Sequence, residues 1–242
     1  MSQLFIEADW GLPTSIHALT TLRGGGISSG PYASMNPARH VGDDAVSVSG
    51  NRRLLRESLG LPTGPFWLQQ EHGARVIRAE PGGGGANVAD GSFSAVKGVV
   101  CAVMTADCLP VLLCNPDSGM IAAVHAGWRG LLVGVIESAM QSIGNGGMAW
   151  MGPAIGPDAF EVSTEVRDRF LKKSTMFESA FRPGKGQNWL FDIYAAARSV
   201  LSECGADQVF GGHCCTYSDS ARFFSYRRDG VCGRMASLIW RD

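Results

Sequence analysis

Three short apolar runs stand close together in the middle of the chain: GVVCAVMTA (98–106), LPVLLCN (109–115) and GMIAAVHA (119–126). Each carries β-branched residues and is bounded by turn residues, so each predicts a strand; their near-continuous apolar character predicts cover on both faces. The tight turn over 114–119 predicts antiparallel pairing of the last two. The period then changes. RGLLVGVIESAMQSIG (129–144) places Leu132, Val135, Ile136, Ala139 and Ile143 on one face, which predicts one helix ended by Gly144. Helical spacing also predicts helices over 43–60, closed by Gly60, over 163–173, capped by Ser163 or Thr164, and over 192–205, opened by Asp192.

The remaining segments are less regular. Residues 14–36 open as a strand and run into a Gly/Ser-rich loop holding Arg23. FWLQQEHGARVIRAE (66–80) predicts two short strands around a polar centre with His72, and PGGGGANVADGSF (81–93) predicts a mobile loop. MAWMGPAIG predicts another strand leading into a Gly-Pro loop, and the chain closes with a strand, a loop, a Ser-Tyr-Arg-Arg segment and a last apolar strand. Strands and helices are interspersed without regular alternation, so the fold class is α+β, with mixed, largely antiparallel sheets in a single domain over 1–242.

Composition narrows the partners. With 242 residues and 45% hydrophobic side chains the chain can bury a full core, and 21 basic against 22 acidic residues leave a net charge of −1. That balance argues against a nucleic-acid surface, although a small anion pocket needs only a few donors. No window approaches 18 uninterrupted apolar residues, so no membrane span is expected. The opening MSQLFIEADWGLP lacks the basic and apolar regions of a secretory leader. Seven cysteines, an odd number, fit reduced thiols and a cytoplasmic location.

The candidate chemistry gathers at breaks between apolar runs. His72 and His125 each stand where an apolar segment meets a glycine-bearing loop, and Cys108 sits at an Ala-Asp-Cys-Leu-Pro turn. Their spacing matches no zinc-finger or CxxC template. Three readings are open: a metal site, a Cys108 nucleophile with His125 as base, or two core residues. Two imidazoles and one thiolate would leave a fourth tetrahedral position open, as in catalytic zinc, with Asp107 or a backbone carbonyl supporting an imidazole. His17 reads as structural, His40 as a loop residue bonding backbone, and His213, beside Cys214 and Cys215, invites a metal reading that the opposite facing of adjacent strand residues argues against. Arg23, Arg129 and the Arg227-Arg228 pair, at glycine-rich breaks, are candidates for anion or sugar contacts.

TLRGGGISSGPYASMN, HVGDDAVSVSGNR, LQQEHGARV, TADCLPVLL, AAVHAGWRG, GPAIGPDAFEV and FFSYRRDGVCGRMASLIW occur in that order. Together they closely resemble the laccase-domain family, also called the polyphenol oxidase or purine nucleoside phosphorylase family, from about residue 14 to 242. The resemblance implies an α+β fold with helices packed outside the sheets and zinc held by His72, Cys108 and His125. It implies phosphorolysis of adenosine, inosine, guanosine and methylthioadenosine, and deamination of adenosine, so the expected partners are a purine nucleoside and phosphate. Arg23, with Arg129 or Arg227, would hold the anion.

The sequence departs from the family at Asp158-Ala159-Phe160, where cysteine or an aromatic often follows GPAIGP, and His213 gains no support as a ligand. Copper is the alternative metal. However, beyond His72 and His125 only His17, His40 and His213 remain, too few for a trinuclear copper cluster. HAG also lacks the glutamate of the cytidine-deaminase H-x-E motif. The alternatives are laccase-like polyphenol oxidation, a cysteine-type amidase editing peptidoglycan precursors, and a zinc-stabilised binding module.

Overall fold

A computed structural model describes residues 4–11, 14–82, 87–206 and 208–242. The chain begins with β1 (Phe5–Glu7), β2 (Ile16–Thr21), α1 (Ala45–Ser58), β3 (Val76–Arg78) and β4 (Gly91–Ser94). The central run is β5 (Cys101–Thr105), β6 (Leu109–Asn115), β7 (Met120–Ala126), α2 (Trp128–Val133), α3 (Val135–Ile143) and β8 (Met148–Met151). Then follow β9 (Glu161–Val162), α4 (Thr164–Lys173), β10 (Phe181–Pro183), β11 (Trp189–Phe191) and α5 (Ile193–Glu203). The described chain closes with β12 (Gln208–Gly211), α6 (Tyr226–Asp229) and β13 (Met235–Arg241). Among the described residues no helix is long and apolar enough to cross a membrane.

The strands form three sheets. Six make a mixed sheet in the order β12-β8-β6-β7-β4-β3, four an antiparallel sheet in the order β1-β2-β13-β5, and three a small antiparallel sheet in the order β10-β11-β9. Only the edge pairs β12–β8 and β3–β4 of the large sheet are parallel. The fold is α+β, as the interspersed elements implied.

Alternation along the strands sets the layers. On β6, Leu109, Val111 and Leu113 face α3 and α5, joining Ile136, Met140, Ala197 and Leu201 in one core. Leu112 and Cys114, on the opposite face, meet Cys101 and Val103 of β5 and Ile239 of β13. The outer face of the four-stranded sheet, through Ala102, Leu238 and Trp240, is covered by Leu55 of α1. The order is therefore helix, sheet, sheet, helices. Both faces of β5 and β6 are buried, which is why these strands read as continuous apolar runs.

Three expectations need correction. The segment 129–144 is two helices, because Gly134 takes a left-handed conformation (φ 98°) between them. That turn lets α3 lie on the sheet while α2 directs its first residues elsewhere. In 66–80 only Val76–Arg78 is a strand; Phe66 and Gln69 make single bridges to Cys101 and Val88. Residues 91–94, within and just past the segment read as loop, form β4 between β3 and β7, paired through backbone that periodicity does not reveal. Residues 83–86 of that loop, the rest of its glycine run and Ala86, lie outside the described residues. The neighbouring strands β5 and β6 belong to different sheets, so residues 106–108 carry the chain from one sheet to the other.

A Cβ added at Gly134 would meet the Glu137 carboxyl at 3.6 Å, an ordinary contact. The cost of Gly134→Ala therefore comes from its positive φ alone, about 1–2 kcal/mol. Urea unfolding should show that loss; an unchanged midpoint would mean that the turn between the helices does not need glycine.

Candidate metal centre

The crossing between sheets places Cys108. β5 ends at Thr105, β6 starts at Leu109, and the short corner turns through Asp107 in a left-handed conformation (φ 85°). Next to it, β7 pairs with β6 so that His125 lies opposite Pro110, one residue before the end of the strand. His72 comes from the loop before β3, also left-handed (φ 61°). The Cys108 sulfur is 3.8 Å from His72 Nε2, and the two imidazoles meet edge to face at 4.7 Å. One ligand atom from each of the three side chains lies within 4.8 Å of the others. Gly127, which follows, leaves the group room: a Cβ there would stand 3.0 Å from both the Cys108 sulfur and His72 Cδ2, a tight contact that would press on both.

Asp90 organises this group, and the sequence reading missed it. The carboxylate is buried and accepts hydrogen bonds from the N–H groups of Glu71 (3.2 Å), His72 (2.8 Å) and Gly73 (2.7 Å). Its Oδ1 also accepts from Nδ1 of buried His125 at 2.8 Å. That bond assigns the proton to Nδ1 and leaves Nε2 for the centre. One carboxylate thus sets the His72 loop and the His125 ring together. The only advance sign was an acid between Ala89 and Gly91 at the start of an unrecognised strand.

Asp107, expected beside an imidazole, serves elsewhere. Its carboxylate accepts from the Thr216 hydroxyl (2.6 Å) and the Arg227 N–H (2.7 Å), and its carbonyl from Ile155 N–H (3.0 Å). The corner that carries Cys108 is therefore tied to the start of α6. The two carboxylates divide the work: one holds the His125 ring and the backbone of the His72 loop, the other docks a distant loop.

Electrostatics favour a charged centre. Burial opposes a Cys108 thiolate, but the His125 charge and hydrogen bonds from both histidines outweigh it and lower the thiol. Burial likewise opposes a charged His125, yet the thiolate and the Asp90 carboxylate raise it. Burial would raise Asp90, and the His125, Gly73 and His72 hydrogen bonds reverse this, so it is held below the usual carboxylate range.

The donor set fits a metal of borderline softness. Tetrahedral zinc with ordinary ligand lengths of about 2.3 Å to sulfur and 2.0–2.1 Å to nitrogen would set S and N about 3.6 Å apart. The Cys108–His72 separation of 3.8 Å is close to that. Two imidazoles and a thiolate also occur around copper.

A cavity of about 280 Å³ opens on the group, lined by His72, Asp107, Cys108, Trp128, Arg129 and Arg227. Phe160 and Tyr226, neither of them singled out by the sequence, complete its walls. Arg129 stacks on Trp128 (4.3 Å), and Arg227 lies over Phe160 (5.4 Å) while donating to Glu161 O (3.0 Å). Arg23 is not among the lining residues. Its guanidinium donates to Ala33 O (3.2 Å) and Ser220 O (3.1 Å) above Phe224, joining two loops. Arg228 is similarly occupied by the Thr216, Tyr217 and Phe223 carbonyls and Asp229. His17 bonds Asp242 and stacks on Trp240, and His40 lies in an exposed loop.

A family profile described as multi-copper polyphenol oxidoreductase laccase matches residues 17–242. A Shigella flexneri protein named purine nucleoside phosphorylase YfiH is 46% identical over 243 residues, 99% of each chain. The Pseudomonas aeruginosa purine nucleoside phosphorylase PA4543 is also 46% identical, over 98% of each chain. Among solved structures, the Neisseria meningitidis protein NMB0706 superposes with a TM-score of 0.95 at 44% identity, covering 99% of this chain and 100% of its own. YlmD from Geobacillus stearothermophilus gives 0.87 at 30% identity, covering 99% of both.

Asp90→Asn keeps one acceptor oxygen but removes the charge that serves four donors. Zinc affinity should fall about 10–100-fold in chelator competition; a change under twofold would remove Asp90 from its supporting role. Because its folded pKa is depressed, the stability that Asp90 contributes is present above the ordinary carboxylate range and lost as pH falls through the folded value. Thiol chemistry offers a second check. In metal-stripped protein, iodoacetamide should modify Cys108 with a pH midpoint well below the ordinary thiol value of about 8.5, because the lowered pKa keeps the thiolate to lower pH. Cys101 and Cys114, raised by burial, should stay unmodified. A midpoint at or above the ordinary value would contradict the electrostatics.

Proposed function

The chain belongs to the multi-copper polyphenol oxidoreductase laccase family, and from that membership we propose that it is a cytoplasmic, zinc-dependent purine nucleoside phosphorylase. The observation that carries the reading is the clustering of His72, Cys108 and buried His125 beside one cavity, whose walls include His72, Cys108, Arg129 and Arg227. The names of whole-length relatives at 46% identity support the same chemistry. Zinc is preferred to copper because His17, His40 and His213 are too few to build the trinuclear cluster of multicopper oxidation.

In the proposed reaction a phosphate oxygen forms a bond to C1′ of the ribose as the C1′–N bond breaks, its electron pair leaving with the base. His72, Cys108 and His125 would hold the zinc, which supplies Lewis-acid polarisation when bound. Arg129 and Arg227 hold the anion, each kept in place by stacking on an aromatic ring, Trp128 and Phe160. Arg23 is assigned to loop architecture instead, since it lies off the cavity wall and ties Ala33 O and Ser220 O together. Asp90 keeps His125 Nε2 directed at the centre. The reading extends to adenosine, guanosine and methylthioadenosine as substrates and to adenosine deamination at the same site.

One observation favours a second reading. Asp90, His125 and Cys108 make a carboxylate–imidazole–thiol series, the arrangement of a cysteine hydrolase when no metal is held. That is the amidase alternative.

The test is release of hypoxanthine from inosine by zinc-loaded protein, with and without phosphate. Phosphate-dependent release with ribose-1-phosphate is expected, and Cys108→Ala should abolish both zinc content and turnover. Release without phosphate, or full activity in the zinc-free variant, would overturn the proposal. Inactivation by a thiol alkylator with indifference to chelator would move the hydrolase reading ahead.

A further inference from the structure

The cavity at the metal corner is small for its proposed load. At about 280 Å³ it lies at the lower limit of ligand sites, roughly 300–1,000 Å³, and a nucleoside would share it with a phosphate. Beside it opens a cleft of about 890 Å³, and Arg227 lines both.

The cleft is built in advance of any ligand. One wall is 156–161 and the other 212–218. Their bases are stitched together: Ala154 bridges Cys215, Thr216 N–H donates to Ala154 O (2.9 Å), and Gly156 N–H donates to the Cys215 sulfur (3.2 Å). Beneath them the buried Tyr194 hydroxyl accepts from Ala154 N–H (2.7 Å) and donates to Cys214 O (2.8 Å). Walls fixed in this way lose little freedom when a ligand enters.

Its chemistry complements that of the metal corner. Pro157, Pro183, Leu190 and Tyr217 offer flat or apolar surfaces, with His213 and Lys185 as the polar edge. The two acids of the cleft are engaged, Asp158 by Arg182 and Glu161 by Asn188. Stacking surface with a few hydrogen-bonding groups suits a neutral heterocycle. The phosphate is better served by Arg129 and the metal corner.

Resting on the phosphorolysis reading, we infer that this cleft is the binding compartment for the purine base. C1′ then lies beside Arg227 at the junction, phosphate occupies the small cavity, and the released base departs through the cleft without crossing the metal centre. The side chain of Tyr217 is a stacking surface for the base, and it is 41% exposed before a ligand covers it.

The test uses two variants in the zinc-loaded protein. Tyr217→Ala removes the stacking surface, and Ser218→Trp fills the cleft from an exposed position. Inosine is the probe, followed by equilibrium dialysis and by turnover. Both variants should weaken inosine binding and raise its KM at least tenfold, with zinc content and the KM for phosphate changed less than twofold. Inosine affinity within twofold of the parent in both variants would overturn the cleft assignment while leaving phosphorolysis intact. A parent protein that binds inosine without phosphate-dependent base release would overturn the functional reading alone, and the dialysis comparison would still decide the cleft. A parent that binds no inosine would overturn both.

Discussion

Four N–H groups converge on the buried carboxylate of Asp90, and the candidate centre depends on that convergence. An isolated carboxylate out of water costs several kcal/mol, so its burial is tolerated only while those donors are in place. The dependence runs both ways. Residues 71–73 direct three consecutive N–H groups at one point, through a left-handed His72 that a side chain does not adopt freely. The carboxylate offsets that strain, and its remaining bond orients His125. The His72 loop and the last turn of β7, over 50 residues apart, thereby become one rigid unit. The third member, Cys108, reaches it through a different constraint, the crossing of the chain from one sheet to the other.

That crossing explains why the pocket has arginines on its walls. A corner between two packed sheets leaves backbone groups without ladder partners, and Asp107 uses its carboxylate to bring in Arg227 N–H and the Thr216 hydroxyl. Arg228 holds the same loop from the other side through three carbonyls. The guanidinium of Arg227 is then delivered to the pocket by backbone bonds made more than 100 residues away in sequence. Arg129 arrives by a local route, since Gly127 and the break at Gly134 set the short helix that carries it. Two arginines of unlike origin face one cavity because two turns, at Asp107 and Gly134, are left-handed.

What the sequence made legible follows from which forces are local. β5, β6, β7, α1, α3, α4 and α5 were readable because their apolar periodicity or cap residues are properties of a dozen neighbouring positions. The three candidate ligands were readable because each stands at an abrupt end of an apolar run, and the family resemblance joined them. Asp90 was not readable: its importance lies in partners at 71–73 and 125 that only the β4–β7 pairing brings near. Asp107 stands out in the sequence beside Cys108, but its partners at 216 and 227 come from the far end of the chain. Arg23 and Arg227 looked equivalent in sequence, each at a glycine-rich break. What separates them is geometry, since Arg23 spends its donors on Ala33 and Ser220.

The same electrostatics serve both chemistries that the site permits, so the thiolate by itself does not choose between them. A lowered thiol next to a raised imidazole is what a cysteine hydrolase needs, and also what a metal needs to find a ready thiolate. The second histidine decides the balance. A nucleophile requires one base, and an imidazole edge-on to that base, with its Nε2 3.8 Å from the sulfur, would crowd the approach of a carbonyl substrate. Held instead by Asp90 through its own backbone N–H, His72 is positioned with as much care as His125. Asp90 thus fixes the His125 ring and the His72 backbone together, a constraint that a nucleophile with a single base would not need.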